Sequence, residues 1–362
     1  MPQESRKNNF NLVRLIGALL VMIGHMGPIM GTETSVMGQG LHEIGVEILF
    51  LIGGFLISES WLHDPNPLRY GIRRFLRLWP PYAVMVLLMT FVTGPLLSDL
   101  GASGYFASWW SEYLKNLRFY IIYAQPGVFV NMPMPYVTNG SLWTMPVEAV
   151  LYVLTPLVCI LFGIRKKSRR SLWLYAAFAV LLIIVGTWLD GHSEIQWIFY
   201  ATMWAAGLKL GIFFFIGIFC AMEPVRKLFK MQWTLLAFLA IILVQYEIRP
   251  VQYIVMVLAL PYLVFSLALA PNPLFYKVGR KYDLSYGIYL YGFFFQQLVT
   301  QWQRQSGISL GVPASIAISL CLTVPVAFLS NVLVEKKALQ LSKYLITKLK
   351  SRNAETEVRN GT

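Results

Sequence analysis

Apolar residues in this chain run on for about twenty positions at a time, and short clusters rich in Lys, Arg, Pro and Gly separate the runs. A run of that length matches a helix crossing a bilayer. Ten such runs fall near 11–30, 43–62, 80–98, 141–163, 171–189, 205–222, 231–247, 251–270, 284–302 and 311–332. The sixth carries Lys209, and an interfacial course for residues 194–205 is the alternative there. The pattern predicts an all-α, polytopic transmembrane helical bundle of about ten spans, with residues 1–350 as one integral-membrane domain. Residues 351–362 read as a polar, disordered tail. One connection is long. Residues 99–140 begin with "YFASWWSEYLKNLRFYIIY", an amphipathic interfacial stretch, and end in a Pro/Gly-rich irregular segment.

Composition agrees with the pattern. The chain has 362 residues, is 57% hydrophobic and 13% charged, and its mean hydropathy of +0.58 is too apolar for one soluble core. The net charge of +13 belongs to topology, not to nucleic acid. Of the 30 Lys and Arg residues, 24 fall in the termini and one alternating set of loops, and 5 fall in the other set. That asymmetry places both termini in the cytoplasm. Cys159, Cys220 and Cys321 lie in apolar runs without ligand or pairing spacing and read as core residues. Glu33, Glu43, His42 and His63 read as loop or interface residues. No His, Cys or acid set has metal-ligand spacing, so no metal is expected.

Ionisable groups inside the spans change the picture, because they are costly in lipid and rarely idle. Arg14 and His25 are 11 residues apart in "NFNLVRLIGALLVMIGHMG", which puts them on one helix face with roughly 16 Å between them. Glu47, Glu148, Gln296 and Gln297 fall at a depth similar to that of His25, in the outer half. At the inner mouth "RYGIRRFLRLWPPY" presents Arg73, Arg74 and Arg77, and guanidinium forks suit phosphate oxygens. The pattern is a funnel with cations at its mouth and a His/carboxylate layer further in. Plainer alternatives stand beside it: the three arginines as topology signals, Arg14 snorkelling to the interface, and His25 bonded to a backbone carbonyl.

In its motifs the chain resembles the acyltransferase-3 family of bacterial integral-membrane O-acyltransferases. The resemblance rests on Arg14 and His25 with ten residues between them, on "GVEILFLIGGFLI" at 45–57, "RRFLRLWPPY" at 73–82, "SLWTMPVEAVLYVLTPL" at 141–157, "LSYGIYLY" at 284–291 and "VEKKALQLSK" at 334–343. It implies acyl transfer, usually of acetyl from acetyl-CoA, to a hydroxyl of an envelope carbohydrate or glycolipid, in the bacterial inner membrane. It carries over Arg14 and His25, Arg74, Arg77 and Pro80, and Trp143 and Glu148. Asn11 stands where the family has Asp, Gly53-Gly54-Phe55 where it has Ser-Gly-Phe, and Gly292 where it often has His. No soluble esterase-like domain follows the last span.

The expected mechanism has His25 as general base, with a covalent acyl-histidine as its variant, and Glu148 orienting His25 or stabilising its charged form. Arg14 is counted both in the catalytic layer and in the acyl-CoA site with Arg73, Arg74 and Arg77, neutralising phosphate or pairing with a buried carboxylate. Glu47, Trp143, Gln296 and Gln297 are expected to face the acceptor. Acyl-CoA is a co-substrate, and no permanent cofactor is expected; the other partners are the acceptor and membrane lipid. Self-association stays open. The rival function is a transporter or flippase for an anionic or sugar-bearing solute, against which the absence of an internal repeat counts.

Overall fold

The computed structural model describes residues 7–32, 35–36, 39–164, 168–192, 194–244, 249–270 and 275–360, except the side chains of 35–36, 39, 249 and 352–360. Its helices are α1 (Phe10–Met30), α2 (Leu41–His63), α3 (Pro67–Leu88), α4 (Thr144–Leu161), α5 (Arg169–Gly191), α6 (Trp204–Ala221), α7 (Thr234–Leu243), α8 (Arg249–Ala268), α9 (Ser285–Ser306), α10 (Val312–Ser330) and α11 (Lys336–Asn360). Each of the ten predicted spans falls on one of α1–α10. Sheet among the described residues is confined to two two-residue hairpins, Ser35–Val36 with Gln39–Gly40 and Ile198–Phe199 with Thr202–Met203. Part of the 165–170 basic loop, Glu33 and residues 245–248 of the seventh run lie outside the described residues. Helix α11 extends to Asn360 through the segment predicted as a polar tail.

Eight of these stretches are long and apolar enough to cross a membrane. The two exceptions have different causes. Helix α7 with its leading turn, Met231–Leu243, is short. Helix α9 is long but carries Ser285, Gln296, Gln297, Thr300 and Gln303, all buried. It packs between α1 and α10, so protein and not lipid surrounds its polar side chains. The outward faces of α4 and α5 do the opposite, exposing Val153, Leu157, Ile160, Leu161 and Trp173 as a lipid-facing surface. Cys159 and Cys220 are core residues as expected, whereas Cys321 points outward from α10.

Helix α3 starts thirteen residues before the predicted span. Asn66 caps it, its side chain accepting from the Arg69 backbone N–H at 3.0 Å, and Pro67 occupies the first turn. Pro80 and Pro81 lie inside the helix, and Arg73, Arg74 and Arg77 sit on it beyond its first turn.

Two π-helical turns extend the long helices. Met89–Thr93 continues α3 into Gly94–Leu97, and the carbonyls of Met89 and Thr90 accept from Gln125 Nε2 (3.1 Å) and Tyr105 Oη (2.9 Å) of the long connection. That connection is folded against the bundle: a short helix at Gly101–Ala107 and a 3-10 helix at Trp110–Arg118 bury Tyr105 and Tyr113 completely. The second π turn, Asn331–Glu335, joins α10 to α11.

The packing of α1, α2 and α6 depends on glycine. A Cβ on Gly45 would lie 2.5 Å from the Gly17 carbonyl oxygen, and one on Gly54 only 1.8 Å from that of Phe214. Helices that approach this closely gain dispersion contacts that lipid cannot match. Gly54→Leu is expected to lower stability by about 1–3 kcal/mol or more through overpacking, seen as a fall in the unfolding midpoint of the detergent-purified protein. An unchanged midpoint would show that α2 and α6 can separate freely.

Candidate functional site

A cavity of about 1470 Å³ opens at the basic end of the bundle, bordered by α1, α2, α3, α4, α6, α9 and α11. Ten Lys and Arg side chains line it against four Asp and Glu. Typical small-molecule pockets measure about 300–1,000 Å³, so this one suits a larger, anionic ligand.

The predicted arginines all line the cavity but are held differently. Arg73 is fixed by Asp64, whose carboxylate lies 2.7 Å from Arg73 Nη1 and also pairs with Arg69. Asp64 ends α2 just before the α3 cap, so this pair clamps the α2–α3 turn. Hydrogen bonds from Arg69 hold the Asp64 carboxyl below the usual carboxylate range. Arg14 pairs with Asp283 and donates to Asn11 Oδ1 at 2.8 Å. Arg77 reaches Asp283 at 3.3 Å and Glu335 at 3.5 Å. Arg74 has no carboxylate partner among the described residues. It lies over the rings of Tyr70 and Tyr152, at 5.8 and 5.9 Å, and touches Ser60 Oγ at 3.4 Å. Arg74 is thus the cavity arginine most available to an incoming anion.

Asp283 and Glu335 were not singled out in the sequence. Asp283 sits just before α9, where its Oδ1 accepts from Ser285 Oγ at 2.6 Å and Ser285 N–H at 3.2 Å, while Oδ2 takes the two arginines. Its backbone oxygen accepts from Asn331 Nδ2 in the π turn at 2.8 Å. Burial raises the Asp283 pKa, but the Arg14 and Arg77 guanidiniums outweigh it and hold the carboxyl below its ordinary value. Asn11, where the family has Asp, donates to the Gly279 carbonyl at 3.1 Å as it accepts from Arg14. The one available signal was an acid in the otherwise basic "KVGRKYDLS" segment.

Glu148 lines the cavity on α4 and accepts from Tyr152 Oη. His25 is not among the lining residues. Its Nδ1–H donates to the Val21 carbonyl at 2.8 Å, which leaves Nε2 as the acceptor nitrogen, and its ring packs against Phe293 (centroids 5.2 Å). The expected Glu148–His25 pairing is corrected: each group satisfies its hydrogen bond within its own helix, one turn away. His42, read from sequence as a loop or interface residue, packs against His25 with ring centroids 4.6 Å apart and the planes tilted by 38°. The α2 backbone comes this close because Gly24 has no side chain; a Cβ there would lie 2.1 Å from His42 N. His63, also read as unremarkable, lines the cavity.

The residues expected to face the acceptor are dispersed. Gln296 and Gln297 are fully buried, and their amide nitrogens are engaged by backbone: Gln296 donates to Met22 O at 2.6 Å, Gln297 to Met134 O and Val137 O at 3.0 and 2.9 Å. They fasten α9 to α1 and to the long connection, and neither is among the cavity-lining residues. Glu47 is buried on α2, and neither it nor Trp143 is among the cavity-lining residues.

The roof of the cavity is formed where α9 meets the start of α4. Asn139 caps the 3-10 turn Gly140–Trp143, its side chain accepting from Ser141 N–H and donating to Leu290 O at 2.7 Å. Tyr289 Oη donates to Ser141 O at 3.1 Å and also bonds Thr144 Oγ. Tyr289 and Thr144 both line the cavity.

A family model described as "Acyltransferase domain", that of acyltransferase-3, matches residues 7–332. The chain is similar to an O-acetyl transferase of Shigella phage Sf6, 26% identical over 342 residues that cover 93% of this chain and 97% of the relative. It is also similar to Nodulation protein 10 of Rhizobium leguminosarum bv. viciae, 26% identical over 373 residues covering 95% of this chain and 96% of the relative. No solved structure matches the chain significantly.

Asp283→Asn is expected to cost about 3 kcal/mol of stability at neutral pH, because it leaves Arg14 and Arg77 with less compensation. A carboxyl whose folded pKa is depressed stabilises above its unfolded value, near 4, and loses that contribution as pH falls through the folded value. Thermal unfolding of both proteins at pH 7 and pH 3 should therefore show the difference narrowing in acid. An equal difference at both values would remove Asp283 as the ionised partner.

Proposed function

The chain belongs to the acyltransferase-3 family of membrane acyltransferases, and on that premise we propose that it is an O-acetyltransferase whose basic cavity takes acyl-CoA. The observation that carries the reading is the cavity itself, large, lined by ten cations, and opening at the end where basic loops cluster. Coenzyme A is a polyanion made in the cytoplasm, and Arg74 presents it a guanidinium not committed to a carboxylate. Lys336 and Lys343 of α11 lie on the same cavity wall. The similarity to the phage O-acetyl transferase supports acetyl as the acyl group.

In the proposed reaction a hydroxyl oxygen of an envelope carbohydrate or glycolipid attacks the thioester carbonyl. The C–O bond forms, the C–S bond breaks, and Coenzyme A leaves as thiolate. His25 Nε2, oriented by the Nδ1–H bond to Val21, takes the hydroxyl proton and passes it to the departing sulfur. His25 is half-buried near the end of α1 away from the basic mouth, so the acceptor approaches from that side. His42 packs against the imidazole at a tilt and positions it. Arg14 and Arg77, paired with Asp283 and Glu335, shape the floor and are secondary to Arg74 in phosphate binding.

Two measurements on the detergent-purified protein test this reading. Acetyl-CoA is expected to bind saturably, and Arg74→Ala to weaken binding about tenfold or more with little change in unfolding midpoint, while Arg77→Ala lowers both. Absence of binding to a folded sample would favour transport of another anion. His25→Ala is expected to retain acetyl-CoA binding and lose transfer by at least about 100-fold, read as acetyl incorporation into envelope carbohydrate. Near-normal incorporation would sink the general-base role.

A further inference from the structure

We infer that Phe293 sets the length of acyl chain the protein accepts. The inference rests on the proposed acyl-CoA site and adds a specificity determinant to it. Tyr286, Tyr289 and Phe293 recur at three and four residues along α9 and share one face. Tyr286 and Tyr289 line the cavity, whereas Phe293, about 6 Å further along the axis, is 2% exposed and lies beyond the roof. On the facing segment the order is the same: Thr144 lines the cavity, and Gly140 lies four residues before it.

The Phe293 ring closes the space between these two segments. It meets His25 edge-on at an interplanar angle of 77°, and a Cβ on Gly140 would lie 2.5 Å from its Cε2 and 2.7 Å from its Cζ. Phe293 thus stands between the cavity roof and the imidazole. A thioester carbonyl that comes within reach of His25 from the cavity brings its acyl chain against this ring. An acetyl methyl asks for little room there. Every further methylene has to displace an aromatic side chain whose other edge is already against the Gly140 backbone, in an interior that resists overpacking. The same position therefore limits the donor to short acyl groups, and it does so by volume.

The test is the binding of acetyl-, butyryl- and octanoyl-CoA to the full-length protein in detergent, expressed as the octanoyl-to-acetyl ratio of dissociation constants within each variant. In the unsubstituted chain that ratio is expected to be about tenfold or more in favour of acetyl, since single methylenes in a tight pocket already discriminate on that scale. Phe293→Ala is expected to bring it within about threefold, and Phe293→Leu, which keeps an apolar filler, to an intermediate value. The ratio is internal to each protein, so a uniform loss of affinity does not imitate the effect. Equal affinities for the three thioesters in the unsubstituted chain would overturn the inference, as would an unchanged ratio in both variants, and either result leaves the acyl-CoA site standing. Failure of any thioester to bind the unsubstituted chain would overturn the site and the inference together.

Discussion

Two guanidinium groups packed side by side in a helical bundle repel each other and resist leaving water, so Arg14 and Arg77 require a shared counter-charge. Asp283 supplies it. One carboxylate oxygen serves the two cations and the other the start of α9, so one side chain joins α1, α3 and α9. Glu335 adds a second carboxyl from the turn that joins α10 to α11, within reach of Arg77. The two guanidiniums thus meet acidic groups from two further elements of the bundle. Arg74, by contrast, has no ion-pair partner among the described residues and lies against the rings of Tyr70 and Tyr152.

Cationic side chains are concentrated at the basic end, while the His25 imidazole packs against Phe293 and is not among the cavity-lining residues. Close glycine contacts among α1, α2 and α6 give the site a rigid wall, and the polar helix α9 forms the opposite one. Its glutamines are spent on backbone carbonyls, so α9 behaves as a fastened core element although its composition resembles that of a surface helix.

Much of this could be read from the sequence, for reasons that also explain what could not. Ten apolar runs became ten helices because bilayer thickness fixes their length, and Arg14 and His25 share a helix whose periodicity is known in advance. The start of α3 differs because the apolar run begins only near residue 80, whereas the helix begins at the Asn66-Pro67 cap and carries the basic residues in its first turns. That Glu148, Gln296 and Gln297 fall within helices was legible; rotation about the axis, and hence the partner, was not. That is why Glu148 bonds Tyr152 in place of His25. Asp283 and His42 escaped notice because their importance lies in contacts made across 269 and 17 residues of chain, with Arg14 and His25.

The π turn at Asn331–Glu335 gives the last helix its phase. Beyond it, Lys336, Leu339, Ser342, Lys343 and Ile346 follow one another at helical spacing along the cavity wall. A π turn holds one more residue than an α turn, and each residue of an α-helix turns the chain by about 100°. Drawing that turn in to ordinary α geometry would rotate the whole of α11 by roughly a quarter of its circumference and carry its lysines off the cavity. The register of the last helix is therefore stored in a single surplus residue, so within these five positions the chain tolerates exchange of side chains far better than any change in their number.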